Sequence, residues 1–257
     1  EPDYVHEFAR STLGEDADEF PKRTQLTLPE AQRELVRAVH ETGTPTVAVF
    51  VTGRVLATPW VAEHVPGILL SYQPGSEGGA VADVLFGESN PSGRLPVSVP
   101  KSEAHLPTRF NYLPHARHHG AEGSHVDSYD PLFEYGHGLS YTEFRYEDIE
   151  LSTTEIGPGG TVEVDVTVAN AGDRAGATPV ELFVRDVLSS RVTPVRELAG
   201  FDRVRVDPGE QEGVRFAIHA EDLAVTDPDG THVVEPGTFE VAVEGHSAEF
   251  EVSRRYS

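Results

Sequence analysis

The sequence contains no cysteine and no methionine, and it has one tryptophan in 257 residues. Without cysteine the chain can form no disulfide, no thiolate nucleophile and no cysteine metal site. No apolar stretch reaches the length of about 20 residues that a transmembrane helix needs, which argues against a membrane span. Because residue 1 is Glu1 and methionine is missing throughout, we expect a processed product or a fragment of a longer protein.

Positive charge is also scarce: 20 Lys and Arg stand against 43 Asp and Glu, a formal net charge of -23. This balance argues against nucleic-acid binding and against docking on anionic lipid, since both need a cationic surface. High acidity with only two lysines, Lys22 and Lys101, is typical of a protein that works in concentrated salt, where screening weakens carboxylate repulsion. We therefore expect a halophilic protein, located in the cytoplasm or secreted; an acidic protein of an ordinary cell is the alternative.

Residues 1–100 alternate between helical and strand patterns. The phrase TLPE at 27–30 predicts a capping box at the start of a helix. Apolar runs at 46–51 and 67–70 predict parallel strands covered on both faces, and two further helices follow them. The apolar face of the first helix is predicted to contain Ala31, Leu35, Ala38 and Val39. The pattern predicts an α/β fold, but two strands are too few for a stable parallel sheet, so we expect further strands from elsewhere.

Residues 144–257 have an all-β pattern. Apolar and polar residues alternate with a period of two at 162–168, 180–184 and 239–243, and Gly- and Pro-rich turn signals separate these runs. Short strands with regular turns predict an antiparallel β-sandwich. Residues 101–143 between the two regions show no periodicity, and we interpret them as a connecting segment, with a functional loop as the alternative.

The acidic segment at 14–20 is the first candidate for chemistry. Its crowded carboxyl groups, which include Glu15 and Glu19, raise one another's pKa, and the neighbouring Phe20 adds to this effect. A carboxyl group that stays protonated near neutral pH can act as a general acid. The alternative is a solvated loop, because runs of charge in an acidic chain are commonly solvated.

Other candidate sites in the sequence have less support. No known metal motif matches the spacing of the clustered residues His115, His118, His119, His125 and Asp127, so we predict no metal site. The glycines at 75–79 precede a helix that could bind an anion, but close backbone packing is the alternative and no nucleotide-binding motif is present. No Gly-x-Ser-x-Gly motif occurs, and we predict no cofactor.

Five phrases of the sequence resemble glycoside hydrolase family three, a family of β-glucosidases and exo-β-glycosidases. Two lie in the first region, QPGSEGGAVADVLFG at 73–87 and NPSGRLPVSVP at 90–100, and PLFEYGHGLSYTEF at 131–144 follows. NAGDRAG at 170–176 and ELAGFDRV at 197–204 resemble the fibronectin-type-III-like domain of that family.

The resemblance implies an architecture. Family members combine an N-terminal barrel, an α/β sandwich and often a fibronectin-like β-sandwich. The resemblance implies that residues 1–100 are the C-terminal half of the α/β sandwich domain. Residues 101–143 are then the connecting segment, and residues 144–257 the fibronectin-type-III-like domain. The glycines and aromatic residues of the phrase at 131–144 are expected to anchor this connection, with sugar stacking by Tyr135 or Phe133 as the alternative.

The resemblance also implies a mechanism, that of a retaining exo-β-glycosidase acting on β-glucosides or oligosaccharides. Such an enzyme needs two carboxyl groups, roughly 5 Å apart. The nucleophile of the family is an Asp on the barrel, and the acid/base is a Glu before the helix that starts near residue 30, which matches Glu19 or, alternatively, Glu15. The chain alone is then inactive and needs a barrel partner, and its unfinished sheet edge also favours an oligomer. The alternative function is a non-catalytic scaffold that binds carbohydrate or protein.

Overall fold

The computed structural model describes residues 25–76, 78–114 and 130–253. The first part, residues 25–100, contains three helices and two strands, and we call it the α/β region. In chain order its elements are α1 (Glu30–Glu41), β1 (Val47–Val51), α2 (Pro59–His64), β2 (Gly67–Tyr72) and α3 (Gly78–Leu85). This order confirms the predicted α/β class.

The two strands of the α/β region are parallel. Val47 of β1 lies opposite Gly67 of β2, and the register continues to a bulge after Phe50, where Val51 pairs with Tyr72. Parallel strands joined through a helix place both carboxyl ends at the same edge of the sheet. That edge is where ligands bind in open α/β sheets.

Helix α1 does not begin with the predicted capping box. Pro29 occupies the N-cap position without a side-chain cap, and its carbonyl accepts hydrogen bonds from the amides of Gln32 and Arg33, both at 3.0 Å. The prediction was wrong because a residue that precedes proline is held away from the helical conformation. Leu28 therefore cannot extend the helix towards Thr27.

The α/β region buries little of its apolar surface within this chain. Leu28, Val61 and Val65 form its small core, whereas α1 has no buried residue and Leu35 on its predicted apolar face is 62% exposed. Strand β1 is also uncovered on one face, where Val51 is 65% exposed. The expectation that these strands are covered on both faces is thus not met by the residues described.

Helices α1 and α2 meet through aromatic side chains. The ring of Trp60 stacks on that of His64 at a centroid distance of 4.4 Å, and His40 of α1 packs edge-on against Trp60 at 5.5 Å. The guanidinium of Arg37 lies 5.4 Å from the centre of the Trp60 ring. The only tryptophan of the chain therefore reports on the packing of this region.

The connecting segment, residues 101–143, begins with a single 3-10 turn, Glu103–His105. Its second half returns to the α/β region, where the amide of Val99 donates to the carbonyl of Phe133 at 2.8 Å. The two ends of the connection are thereby held together by backbone hydrogen bonds.

The remaining residues form a β-sandwich of two sheets, which confirms the predicted class. The strands are β3 (Phe144–Tyr146), β4 (Glu150–Leu151), β5 (Glu155–Ile156), β6 (Thr161–Asn170), β7 (Gly176–Asp186), β8 (Glu197–Val206), β9 (Gln211–His219), β10 (Val225–Thr226), β11 (His232–Val233), β12 (Gly237–Val243) and β13 (His246–Val252). One sheet has the order β5-β13-β12-β7-β8, and in the other β6 pairs with β3, β4 and β9. A 3-10 turn, Ala220–Leu223, follows β9, and β10 and β11 form a separate two-stranded ribbon.

The core of the sandwich follows from the period-two alternation of its strands, which points every second side chain inward. The fully buried large side chains include Val162, Val164, Val166, Val168, Val180, Leu182, Val241, Val243 and Phe250. Among the described residues, no helix is long and apolar enough to cross a membrane.

Candidate functional site

The carboxyl edge of the parallel sheet is the first candidate site. The loop after β1 is closed onto β2, because the amide of Thr52 donates to the carbonyl of Tyr72 at 3.0 Å. Gly53 lies against the side chain of Gln73, and a Cβ at Gly53 would stand 3.0 Å from the Gln73 amide nitrogen. The backbone after each strand is therefore packed tightly at this edge.

Tyr72 ends strand β2 in a strained conformation. Its φ is 51°, a left-handed value that a bulky side chain rarely adopts and that costs on the order of 1 kcal/mol. Burial raises the pKa of its phenol. Strained backbone of this kind clusters at active sites and ligand-binding positions.

Leu26, six residues after the acidic segment at 14–20, is fixed at the same edge. Its carbonyl accepts a hydrogen bond from the amide of Ala57, in the loop that follows β1, at 2.7 Å. Its amide donates to a carboxylate oxygen of Glu103 in the connecting segment. The chain that carries the predicted acid/base thus enters the described structure at the carboxyl edge.

The predicted catalytic residues, Glu19 and Glu15, lie outside the described residues, as does the rest of the acidic segment. The histidine cluster, His115 to His125 with Asp127, also lies outside them. Within residues 25–76, 78–114 and 130–253, no three His, Asp or Glu side chains are grouped to hold a metal ion.

A second feature is the junction where three parts of the chain meet at Asn90. Its side-chain oxygen accepts hydrogen bonds from the Ser140 hydroxyl at 2.9 Å and from the Tyr141 amide at 2.8 Å. Its amide nitrogen donates to the carbonyl of Ala175 in the β-sandwich at 3.1 Å. One side chain thereby joins the α/β region, the connecting segment and the sandwich.

Further contacts brace the same junction. The Tyr141 hydroxyl donates to the carbonyl of Val84 in α3 at 2.7 Å, and the Arg174 guanidinium lies 5.5 Å from the Tyr141 ring centre. Arg203 of β8 donates to the Ser92 hydroxyl at 2.9 Å. These contacts hold the sandwich against the α/β region.

The aromatic residues of the phrase at 131–144 anchor the connection, as their pattern predicted. Tyr135 stacks on Phe110 at a centroid distance of 4.3 Å and packs edge-on against Phe183 of β7 at 6.2 Å. Phe133 stacks on His137 at 5.1 Å. The same phrase also forms one wall of an open cleft.

We call this cavity the junction cleft; it lies between residues 134–137 and the outer face of strands β7 and β12. Its volume is about 610 Å³. Its lining includes Tyr135, Glu181, Phe183, Arg185, Arg196 and Glu240.

Electrostatics in the junction cleft centre on Glu181. Partial burial, followed by repulsion from Glu244, raises the pKa of this carboxyl group against the opposing effects of Tyr135, Arg196 and Arg94. Burial and the adjacent Glu181 likewise raise the pKa of the Tyr135 phenol. Both groups therefore hold their protons more tightly than they would in water.

Several of these residues were not identified from the sequence. Glu181 lies at an outward position of an alternating strand and resembles any solvated residue there. Asn90 and Ala175 are 85 residues apart, and Glu103 and Leu26 are 77 apart. Only the tertiary fold brings such pairs together, so no local pattern could have found them.

Two family models match the chain. The C-terminal domain of glycosyl hydrolase family 3 matches residues 1–141, and a fibronectin type III-like domain matches residues 178–247. The first match alone covers more than half of the chain.

Curated relatives support the same assignment. The chain is 38% identical to a periplasmic β-glucosidase of Salmonella typhimurium, over 90% of this chain and 31% of that protein. It is 37% identical to a β-xylosidase of Formosa agariphila, over 91% of this chain and 32% of that protein. The chain thus spans about a third of the length of the curated relatives it matches.

Solved structures show the same fold. A β-glucosidase from Erythrobacter marinus matches with a TM-score of 0.86 and 37% identity, and the match covers 93% of this chain and 32% of the Erythrobacter chain. A mutant β-glucosidase from Listeria innocua in complex with laminaribiose matches 89% of this chain and 33% of its own with a TM-score of 0.83 and 32% identity. The chain belongs to glycoside hydrolase family 3, of which it carries the C-terminal part.

Proposed function

We propose that this chain is the C-terminal part of a retaining exo-β-glycosidase that removes terminal β-linked glucosyl residues. The match of residues 1–141 to the C-terminal domain of family 3 carries the proposal. β-Glucosidases among the relatives and solved structures support glucosides as the substrate class. The chain spans about a third of those relatives, and in this proposal a barrel domain or barrel-bearing partner completes the enzyme.

In this proposal Glu19 is the general acid/base and Glu15 is the alternative. The carboxyl group protonates the glycosidic oxygen as the bond to the departing alcohol breaks, while an Asp of the barrel attacks the anomeric carbon. The resulting carboxylate then takes a proton from the water that hydrolyses the glycosyl-enzyme intermediate. Leu26, six residues beyond this segment, is held by Ala57 and Glu103.

We also propose that the protein works in concentrated salt. The support is its formal net charge of -23 with 2 lysines among its positive residues. At high ionic strength the Debye length falls to about 3 Å at 1 M, so repulsion between surface carboxylates is largely screened.

The test of the acid/base is a comparison of Glu19→Gln with Glu15→Gln in the enzyme reconstituted with its barrel. Glu19→Gln should lower the rate on substrates with poor leaving groups by about 10²- to 10⁴-fold, the usual contribution of a general acid. Substrates with activated leaving groups need no protonation, so their glycosylation should be spared. Azide should then restore turnover by forming a glycosyl azide.

The matched variant decides between the two carboxyl groups. Glu15→Gln should leave the rates nearly unchanged, and a reversal of the two results would move the role to Glu15. If neither substitution affects turnover, the acid/base does not lie in this segment and a non-catalytic scaffold becomes the better account of the chain.

A further inference from the structure

The junction cleft has the size of a ligand site and no part in the proposed chemistry. Its volume of about 610 Å³ falls in the range of about 300–1,000 Å³ that is usual for small-molecule sites. We propose that the junction cleft binds a neutral oligosaccharide as a second, non-catalytic site. This inference rests on the proposed function, which supplies the saccharide chemistry.

Two glycines of the cleft lining have left-handed backbone conformations. Gly136 has a φ of 81° and Gly245 a φ of 86°, so neither position readily accepts a side chain. A Cβ at Gly136 would stand 3.1 Å from a carboxylate oxygen of Glu181. The amide of Gly136 donates to the carbonyl of Leu95 at 2.8 Å, so the backbone at this wall of the cleft is fixed in place.

Both arginines of the cleft lining are paired with carboxylates. Nε of Arg185 lies 2.9 Å from one carboxylate oxygen of Glu240, and its Nη2 donates to the other at 3.3 Å. Arg196 lies 3.7 Å from a carboxylate oxygen of Glu134. The lining holds two further glutamates, so four carboxyl groups stand against two guanidinium groups and the cleft does not suit an anionic ligand.

These pairs nevertheless keep hydrogen-bonding capacity. A guanidinium has five N–H donors, and the Arg185 fork uses two of them. A carboxylate accepts about four hydrogen bonds, so Glu240 retains acceptor positions as well. Planar groups fixed in this way suit the paired, vicinal hydroxyl groups of a sugar, each of which both donates and accepts.

The aromatic lining supplies the apolar part of such a site. Phe110 holds the Tyr135 ring, and the guanidinium of Arg196 lies 4.6 Å from the centre of the Phe183 ring. Sugar rings have C–H faces that pack against aromatic surfaces, while their hydroxyl groups point outward. Immobilised rings lose little conformational entropy when a ligand binds.

The test uses the 257-residue chain itself, titrated with cellotetraose and with xylotetraose by calorimetry and by backbone amide NMR. We expect saturable binding of at least one sugar, with shifts at the amides of Gly136 and Gly245. Arg185→Lys keeps the charge but loses the fork, and it should weaken binding by about tenfold, equivalent to 1.4 kcal/mol.

The matched control is Arg215→Lys. Arg215 forms a similar two-point ion pair with Asp165, but on β9 and β6 of the other sheet. The Arg215→Lys variant should bind the sugar as the parent chain does. Both variants should keep the parent NMR spectrum outside the altered site.

Three outcomes would overturn the proposal: no saturable binding of either sugar, equal losses in the two variants, or tighter binding of inorganic phosphate or spermidine at the same amides. Because no barrel is present in this experiment, hydrolysis does not enter it. Failure here leaves the acid/base test of Glu19 unaffected, and failure of that test leaves sugar binding to be judged by its own result.

Discussion

The side-chain oxygen of Asn90 accepts a hydrogen bond from the backbone amide of Tyr141 at 2.8 Å, across 51 residues of sequence. The same side chain also contacts Ser140 and Ala175, so it closes the junction between the α/β region and the sandwich. A partly buried amide with three partners is costly to replace, because truncation leaves those partners unpaired.

We expect Asn90→Ala to lower the free energy of unfolding by about 2–3 kcal/mol, at roughly 1 kcal/mol for each lost hydrogen bond. Asn90→Asp keeps the acceptor but sets a carboxylate oxygen against the carbonyl of Ala175, so it should destabilise the chain as well. Urea unfolding followed by Trp60 fluorescence and by far-UV circular dichroism measures both. Asn111→Ala, at an exposed asparagine, should change stability by no more than about 0.5 kcal/mol; equal effects at residues 90 and 111 would contradict the assigned role.

Stability should depend on pH through Glu181. Burial, together with the nearby Glu244, raises the pKa of this carboxyl group in the folded chain. A raised folded pKa means that the folded state binds the proton more tightly than the unfolded state. The contribution of the Glu181 proton to the free energy of unfolding is therefore fully present below the ordinary pKa of about 4.5. It is lost as the pH rises through the pKa of the folded state.

Glu181→Gln should remove this component, so the variant should gain stability relative to the parent as the pH rises from about 4.5 toward neutrality. Glu249→Gln removes an equal charge from an exposed position and controls for net charge. Unfolding curves at several pH values measure the difference. A difference in unfolding free energy between Glu181→Gln and the parent that stays constant across this pH range would contradict the role of Glu181.

Glu103 should control the order of the chain at Leu26, because it accepts the Leu26 amide proton. Glu103→Ala removes that acceptor, whereas Glu103→Gln retains an oxygen at the same place. We expect hydrogen exchange at the Leu26 amide to accelerate strongly in the alanine variant and modestly in the glutamine variant. Unchanged protection in Glu103→Ala would show that the hydrogen bond does not hold this position.

Salt should stabilise the folded chain. Its formal net charge of -23 implies self-repulsion in the compact state, and this repulsion decreases as the Debye length falls from about 10 Å at 0.1 M to about 3 Å at 1 M. The melting temperature should rise over this range, and NaCl and KCl should act alike if screening is the cause. A melting temperature independent of salt would contradict the halophilic proposal.

The sequence predicted the secondary structure well where one physical rule dominates. Strict alternation predicted strand β6, since polar and apolar residues separate the two faces of a half-buried strand. The helical spacing of apolar residues likewise predicted α1, but it did not predict that Leu35 would remain 62% exposed. An apolar face shows only that a partner is needed, and the described part of this chain does not provide one for it.

The candidate site was less predictable because it depends on contacts between distant residues. The acidic segment was identified through its composition and through the family resemblance, yet its anchor at Leu26 depends on Ala57 and Glu103. The junction cleft requires Tyr135 of the connecting segment to meet Phe183 of the sandwich. Such juxtapositions follow from the packing of the two regions and leave no periodic signal in either.

The central claim is that this chain acts only together with a glycosidase barrel. Its most direct test is the native mass of the protein isolated from its source in high salt, with β-glucosidase activity assayed on the same fractions. We predict that the chain elutes with that activity, either in a complex with a barrel-bearing chain or as part of one longer polypeptide. A lone, inactive species of 257 residues, separate from any β-glucosidase activity, would contradict the account.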